Sequence, residues 1–246
     1  MADLEQAVAI VTGAAGGIGS AVVRRLVEAG ACVVAEDLDP AVADVAGDRV
    51  APLCADATEA STATAAVALA QERFGGLDIL VNNAGRFLMK PLVDTSDDEW
   101  DALMATNVRS AFVHARAALP VLIDSDRAAI VNTCSISGVV GLPRQGAYAA
   151  TKGAIAQITR QLAIEHAADG VRVNAIAPGA VDTAFVDKAV GGGPDPERAA
   201  AIAAEHPLGR MGTPDEIAAG IVFLASPAAG FITGAILMAD GGFSAR

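Results

Sequence analysis

Ala7-Val8-Ala9-Ile10-Val11-Thr12-Gly13-Ala14-Ala15-Gly16-Gly17-Ile18-Gly19 decides the fold of this chain. Its first six residues are an apolar run with β-branched members, bounded by glycine, the pattern of a strand buried in a parallel sheet. The run enters a glycine-rich turn and then a helical segment from Ser20 to Glu28 that ends at Gly30. A strand, a glycine turn and a helix start make a phosphate site. Glycine lets the backbone approach a pyrophosphate, and the first helical N–H groups have no intrahelical partners. The spacing is Thr-Gly-x-x-x-Gly-x-Gly, not Gly-x-Gly-x-x-Gly.

Working outward, strand-like and helical stretches alternate along the whole chain. Strands are predicted at 8–12, 31–36, 50–54, 78–82, 128–133, 171–176 and 235–238. Helices are predicted near 17–29, 58–74, 96–120, 147–168 and 214–225, with a short one near 40–46. Such alternation argues for a parallel sheet covered by helices on both faces. Ser96-Asp97-Asp98-Glu99 is a capping-box pattern opening the helix 96–120. In the helix 147–168, Ala150, Ala154, Ile158 and Leu162 form one stripe while Ala149, Ala156, Ala163 and Ala167 lie around the cylinder. A helix apolar on two sides is covered by its own sheet and by something else.

Three groups of residues carry chemistry. The second strand ends in Glu36-Asp37, and Asp37 lies 18 residues after Gly19, close to the spacing of about 20 at which a carboxylate binds an adenosine ribose. Both acids repel a 2′-phosphate, and no arginine or lysine occurs between Asp3 and Val23 to offset them, so the electrostatics favour NAD over NADP. Tyr148 and Lys152 lie four residues apart, on one face of a helix. A tyrosine's usual pKa is about 10, and a neighbouring ammonium favours the phenolate, bringing it toward the range of a useful proton acceptor. Ser135 stands 13 residues upstream at the end of a predicted strand, where it can meet the start of that helix in one cleft.

Composition narrows the field further. At 246 residues the chain suits one large α/β domain, spanning 1–246 without a second. A net charge of −12, from 29 acids against 17 bases, argues against nucleic-acid binding and against anionic membrane surfaces. No apolar run reaches the roughly 18 residues of a membrane span, and Met1–Glu5 has neither the basic start nor the apolar stretch of a signal peptide. Cys32, Cys54 and Cys134 are odd in number and lack metal-ligand spacing. They read as small core residues in a reducing compartment, so the expectation is a cytoplasmic protein without a metal. Cys134 reads as a strand residue facing away from Ser135.

These motifs resemble the short-chain dehydrogenase/reductases of the single-domain type, and the resemblance covers nearly the whole chain. It is carried by the Thr12–Gly19 turn, Asp56 after the third strand, Asn82-Asn83-Ala84-Gly85, Asn107, Ser135, Tyr148 with Lys152, and Pro178-Gly179 with Val181 and Thr183. It implies a Rossmann-like doubly wound sheet of seven strands in the order 3-2-1-4-5-6-7. It also implies a catalytic tetrad of Asn107, Ser135, Tyr148 and Lys152. Cofactor contacts are implied at Gly13, Ala15, Gly17, Ile18, Gly19, Asp37, Leu38, Asp56, Ala57, Asn83, Ala84, Gly85, Tyr148, Lys152, Pro178, Gly179, Val181 and Thr183. In relatives Tyr148's counterpart exchanges the hydroxyl proton, Ser135's binds the substrate oxygen, Lys152's also contacts the nicotinamide ribose, and Asn107's holds a water chain. The resemblance further implies a homotetramer and a substrate lid over 184–210, where Gly191-Gly192-Gly193-Pro194 precedes an alanine-rich helical piece, Pro196–Ala204.

The expected reaction is hydride transfer between a small secondary alcohol or ketone and NAD. Arg86, Ser137, Arg144, Gln145 and Phe185 are candidate substrate contacts, and the two arginines hint at an anion. An alternative is an NADP-dependent reductase of 3-oxoacyl groups on acyl carrier protein. Against it stand the acid-rich stretch Ile123–Arg127, where those enzymes present bases, and Gly16, where they often place an arginine. A second alternative is a dinucleotide-binding sensor without catalysis, although such proteins typically lose the tyrosine or lysine that this chain keeps.

Overall fold

The opening apolar run is β1 (Val8–Thr12), with all five residues buried. In the computed structural model, which describes residues 4–184 and 195–246, it lies inside a sheet with β2 (Cys32–Asp37), β3 (Val50–Cys54), β4 (Ile79–Asn82), β5 (Ala129–Thr133), β6 (Arg172–Pro178) and β7 (Ile236–Ala239). Among the described residues these strands are all parallel and run in the order β3-β2-β1-β4-β5-β6-β7. The chain starts in the middle, builds outward through β3, then returns to β4 on the other side of β1. That reversal opens a crevice at the carboxyl ends of β1 and β4.

Successive strand residues face opposite sides, and the core divides accordingly. Ala9, Val11, Val33, Ala35, Ile79, Val81 and Val131 pack with Val22 and Leu26 of α1 (Gly17–Glu28) and Ile217 and Ile221 of α7 (Pro214–Ala225). Val8, Ile10, Val34, Leu80 and Ile130 pack on the other face with Ala66 and Ala70 of α2 (Ala60–Phe74) and Ala115, Ala118 and Leu122 of α4 (Ser110–Leu122). The small alanines let these helices approach the sheet closely. Arg172 closes the end of α7 by donating to the carbonyls of Leu224, Ala225, Ser226 and Ala229. No helix among the described residues is long and apolar enough to cross a membrane.

The helix expected over 96–120 is two helices joined by a wider turn. The capping box forms as read: Ser96 Oγ accepts from Glu99 N at 3.2 Å, and Glu99 Oε2 accepts from Ser96 N at 2.9 Å. It starts α3 (Asp97–Met104), and a π-helical turn over Ala105–Arg109 then leads into α4. One extra residue in that turn rotates Asn107 inward, where it is 2 % exposed. Helix α5 (Gly146–Glu165) starts and ends within a few residues of the predicted segment. Its buried face carries Tyr148, Thr151, Lys152, Ile155, Ala156, Thr159 and Ala163. The stripe read from sequence is only partly covered: Ala154, Ile158 and Leu162 are half-buried and Ala150 is exposed. Of the expected lid, 185–194 and with it Phe185 lie outside the described residues, while α6 (Pro196–Ala204) forms where the alanine-rich piece was predicted.

Two expectations are corrected. Cys54 is exposed at the end of β3, its thiol 3.7 Å from the Leu38 carbonyl, because the strand's last residue has passed the covering helices. Glu36 does not face the crevice. It is fully buried, and its Oε2 lies 2.9 Å from Nε2 of His114 on α4, whose Nδ1 is 2.9 Å from the Ser110 carbonyl. Burial opposes the charge on His114, but the hydrogen bond and negative charge of Glu36 outweigh it and raise the imidazole above its usual pKa. Alternation along β2 is the reason: Asp37 points to the crevice, so its neighbour points into the α2–α4 layer. Of the two acids expected to repel a 2′-phosphate, only Asp37 faces the crevice.

Candidate active site

The glycine turn is shaped by close backbone approach. A Cβ on Gly19 would lie 1.9 Å from the Gly13 carbonyl oxygen, and one on Gly13, at φ +67°, would lie 2.9 Å from Cα of Ala84. No side chain fits either place. Helix α1 opens from Gly16 with no side-chain cap on its first-turn amides, leaving them for an anion. At the far end of the turn a Cβ on Gly17 would meet Cγ2 of Thr183 at 2.6 Å. These features fit a dinucleotide pyrophosphate.

Asp37 accepts from Ala15 N on one carboxylate oxygen and from Asp39 N on the other, both at 2.9 Å. Each oxygen keeps a second lone pair, so the carboxylate still has room for a ribose diol while bracing the glycine turn. Leu38 beside it is 68 % exposed and offers an apolar surface to a base. Asp56 caps the turn ahead of α2 by accepting from Thr58 N at 2.9 Å, and Ala57 is half-buried next to it.

Asn83 ties the turn to the neighbouring strands. Its amide donates to the carbonyls of Thr12 (3.2 Å) and Gly13 (3.1 Å), while its oxygen accepts from Thr133 Oγ1 at 3.3 Å. Thr12 Oγ1 in return accepts from Asn83 N and Ala84 N, both at 3.0 Å. Below this, Asn82 Nδ2 donates to Asn132 Oδ1 (2.8 Å) and Asn132 Nδ2 to Thr159 Oγ1 (2.9 Å), so β4, β5 and α5 share one buried chain. Gly85 follows, and a Cβ there would lie 3.4 Å from Asn107 Oδ1 and 3.7 Å from Lys152 Nζ.

The four tetrad positions therefore meet in one place. Asn107 Oδ1 accepts from Arg86 N at 2.8 Å, and its Nδ2 donates to Arg86 O (2.9 Å) and Thr151 Oγ1 (3.0 Å). Both amide hydrogens are thereby used, and one acceptor lone pair is left. Ser135 is 8 % exposed at the end of β5, and its hydroxyl donates to Ser137 Oγ at 3.3 Å. Ser137 Oγ in turn donates to Gln145 Oε1. Tyr148 is 6 % exposed, with its ring edge-on to Phe87 at 4.7 Å. Lys152 Nζ lies 5.8 Å from the Tyr148 ring centroid and donates to the Thr133 carbonyl at 2.7 Å.

The electrostatics depart from the expectation for Tyr148. Burial pushes the phenol above its usual value, and the hydrogen bond with Ser135 only partly offsets this. Burial also brings the Lys152 ammonium down to about 8. Both groups are thus driven toward their neutral forms, with desolvation the largest cause for each. Cys134 faces away from the cleft as expected: its thiol is buried against the Lys152 carbonyl at 3.2 Å and pushed up by desolvation.

Of the remaining candidates, Val181 is buried beside α7, and Pro178 ends β6. Ser137 and Gln145 join Ser135 as described. Arg86 and Arg144 are exposed, and Arg144 is held at φ 60°. An isolated bridge between Lys90 and Gln145 brings the two arginine-bearing segments side by side. Phe87 and Thr151 were missed from sequence. Phe87 carried a signal, being an aromatic two residues beyond the Asn-Asn-Ala-Gly segment, whereas Thr151 had none apart from its neighbour Lys152.

Comparison with known proteins gives the family. The family model described as enoyl-(acyl carrier protein) reductase matches residues 13–244. The chain belongs to the short-chain dehydrogenase/reductase family. It is 40 % identical to 2-(S)-hydroxypropyl-CoM dehydrogenase 3 of Xanthobacter autotrophicus, over 98 % of each protein. It is 42 % identical to galactitol 2-dehydrogenase of Cereibacter sphaeroides, over 98 % of this chain and 96 % of that one. The ligand-free structure of Thermoplasma acidophilum aldohexose dehydrogenase superposes with a TM-score of 0.92 at 32 % identity, covering 100 % of this chain and 96 % of that one. Members of the family bind a nicotinamide cofactor, and these relatives are dehydrogenases of hydroxyl-bearing substrates.

The lowered Lys152 pKa has a consequence for stability. Above the unfolded value of 10.5 its contribution is fully present, and it is lost as pH falls through the folded value of about 8. Unfolding midpoints in urea should therefore rise for the wild type relative to Lys152→Met between pH 7.5 and 9.5, by part of a total on the order of 3 kcal/mol. Parallel pH dependence of the two proteins would contradict the burial of the ammonium.

Proposed function

We propose that this protein is an NAD-dependent dehydrogenase that interconverts a small secondary alcohol and its ketone. The observation that carries the reading is a buried phenol beside Ser135, with Lys152 Nζ 5.8 Å from its ring centroid on the same helix face and bordered by Gly85 of the segment pressed on the glycine turn. The relatives' names, hydroxypropyl-CoM and galactitol dehydrogenases, support an alcohol substrate.

Bound NAD supplies the hydride acceptor. Its phosphates would be held by Gly13, Ala15, Gly17, Ile18 and Gly19, its adenosine by Asp37, Leu38, Asp56 and Ala57, and its nicotinamide half by Asn83, Ala84, Gly85, Pro178, Gly179, Val181 and Thr183. Ser135 donates a hydrogen bond to the substrate oxygen and stabilises charge that develops there. Tyr148 Oη exchanges the hydroxyl proton. Because burial favours the neutral phenol, Tyr148 stands ready as a donor for ketone reduction, and alcohol oxidation draws on a phenolate whose share grows with pH. Lys152 lends positive charge on the same helix face. Asn107 holds Arg86 by both backbone groups, which sets the path of the chain carrying Phe87 against the Tyr148 ring.

Asp37 decides the cofactor in this reading. Its carboxylate suits a free ribose diol and repels a 2′-phosphate, and the glycine turn contains no base to compensate. The three free thiols fit the reducing cytoplasm. We also assign a homotetramer. The half-buried side of α5 at Ile158 meets Met104, Val108 and Phe112 in one apolar depression, with Phe112 48 % exposed, a surface suited to a second copy.

Three measurements test these points. Initial rates of dinucleotide reduction across a panel of secondary alcohols should favour NAD over NADP by about tenfold or more in kcat/KM, which is about 1.4 kcal/mol. An NADP preference overturns the role of Asp37. Tyr148→Phe should lose about 10²- to 10⁴-fold in turnover while its NADH affinity stays unchanged. Turnover near the wild-type level removes Tyr148 from the chemistry. Light scattering at micromolar concentration should give four times the 24.6 kDa chain mass. A monomeric mass contradicts the assembly.

A further inference from the structure

His206 joins three parts of the chain through one buried ring. It lies just beyond α6 and is 4 % exposed. Its Nδ1 is 2.9 Å from the Ile202 carbonyl, and its Nε2 is 3.1 Å from the backbone nitrogen of Ala180. A carbonyl only accepts and an amide N–H only donates, so the ring must carry its proton on Nδ1 and offer the Nε2 lone pair to Ala180. The packing around the ring leaves no slack. A Cβ on Gly179 would lie 2.8 Å from His206 Nε2 and 3.0 Å from Cα of Asp240, and the ring tilts against Phe243 with centroids 5.4 Å apart.

Ala180 is where the sheet runs out. Gly179 N still bonds across to Ala239 O at 3.1 Å, the last rung beyond β6. Two residues beyond Ala180, Asp182 N bonds to Gly212 O at 2.9 Å, and Ala180 O accepts from Gly212 N at 3.0 Å. Between these backbone anchors the half-buried Ala180 N–H has no strand to pair with, and an amide shielded from water needs an acceptor. His206 accepts it. The segment then continues to Thr183, whose methyl group crowds Gly17 in the phosphate turn.

We propose that His206 is a positioning residue for the nicotinamide half of the cofactor. By accepting the Ala180 N–H it sets the course of the backbone from Pro178 to Thr183. By donating to Ile202 it ties that course to α6, so dinucleotide binding and the placement of α6 are linked through one imidazole. This rests on the assignment of 178–183 to the cofactor made above.

The test compares full-length wild type, His206→Gln and His206→Phe. Glutamine can place an amide oxygen near the Nε2 position and accept from Ala180, whereas phenylalanine keeps the ring and loses the acceptor. NADH dissociation constants, read from the fluorescence of the single Trp100, should rise about tenfold in His206→Phe and stay within about twofold of wild type in His206→Gln. Hydrogen exchange of the proteins without cofactor should speed up over 178–184 in His206→Phe and recover in His206→Gln. Equal NADH affinity and equal exchange in all three overturn the proposal, as does equal loss of affinity in both variants. Should His206→Phe fail to fold, exchange in the wild type decides alone. Added NADH should protect 178–184 and 200–206 together, and protection confined to 178–184 overturns the link. A wild type that binds neither NADH nor NADPH instead removes the cofactor assignment itself, and His206's role with it.

Discussion

The crevice exists because the turn after β1 is pressed against the chain leaving β4. Parallel strands end with N–H and C=O groups that have no ladder partner, and here side chains take over from the ladder. Thr12 accepts two amides from Asn83 and Ala84, while Asn83 answers with two bonds to the carbonyls of Thr12 and Gly13. The approach is so close that only glycine fits at position 13. Gly85 follows directly and borders both Asn107 and Lys152. The glycine turn and the catalytic candidates are thus parts of one polar clamp.

Desolvation governs the chemistry beside that clamp. Tyr148 is pushed up and Lys152 is brought down to about 8, so each is driven toward neutrality. Charges interact more strongly in such surroundings than at the surface. In the proposed reaction, a substrate oxygen gaining negative charge beside Ser135 would do so under poor screening, where a hydrogen-bond donor acts most strongly. The same burial raises the pKa of the Cys134 thiol, which packs on the α5 backbone.

The parts of the site supplied by local rules were legible from residues alone. The glycine turn, the capping box at Ser96 and the helical spacing of Tyr148 and Lys152 each depend on neighbours within a few positions. What escaped depends on distant partners. Glu36 looked like a crevice acid until His114, 78 residues away, accounted for its carboxylate. The turn at Ala105–Arg109 contains neither glycine nor proline, so nothing local marks its extra residue. Asn107 faces inward because of it, and its partners on Arg86 and Thr151 come from other segments. Nothing in the sequence around His206 marks it, and only the end of the β6 ladder gives it a task.

The amino-acid order by itself determined the parallel α/β architecture and the strand at which the crevice opens, because apolar runs, glycine spacing and helix caps act over short distances. Tertiary structure alone decided that Glu36 leaves that crevice and that Tyr148 and Lys152 are buried enough to be pushed toward neutrality. Burial and pairing are properties of space, set by residues far apart in the chain, and no local spacing encodes how far water is excluded from a phenol or an ammonium.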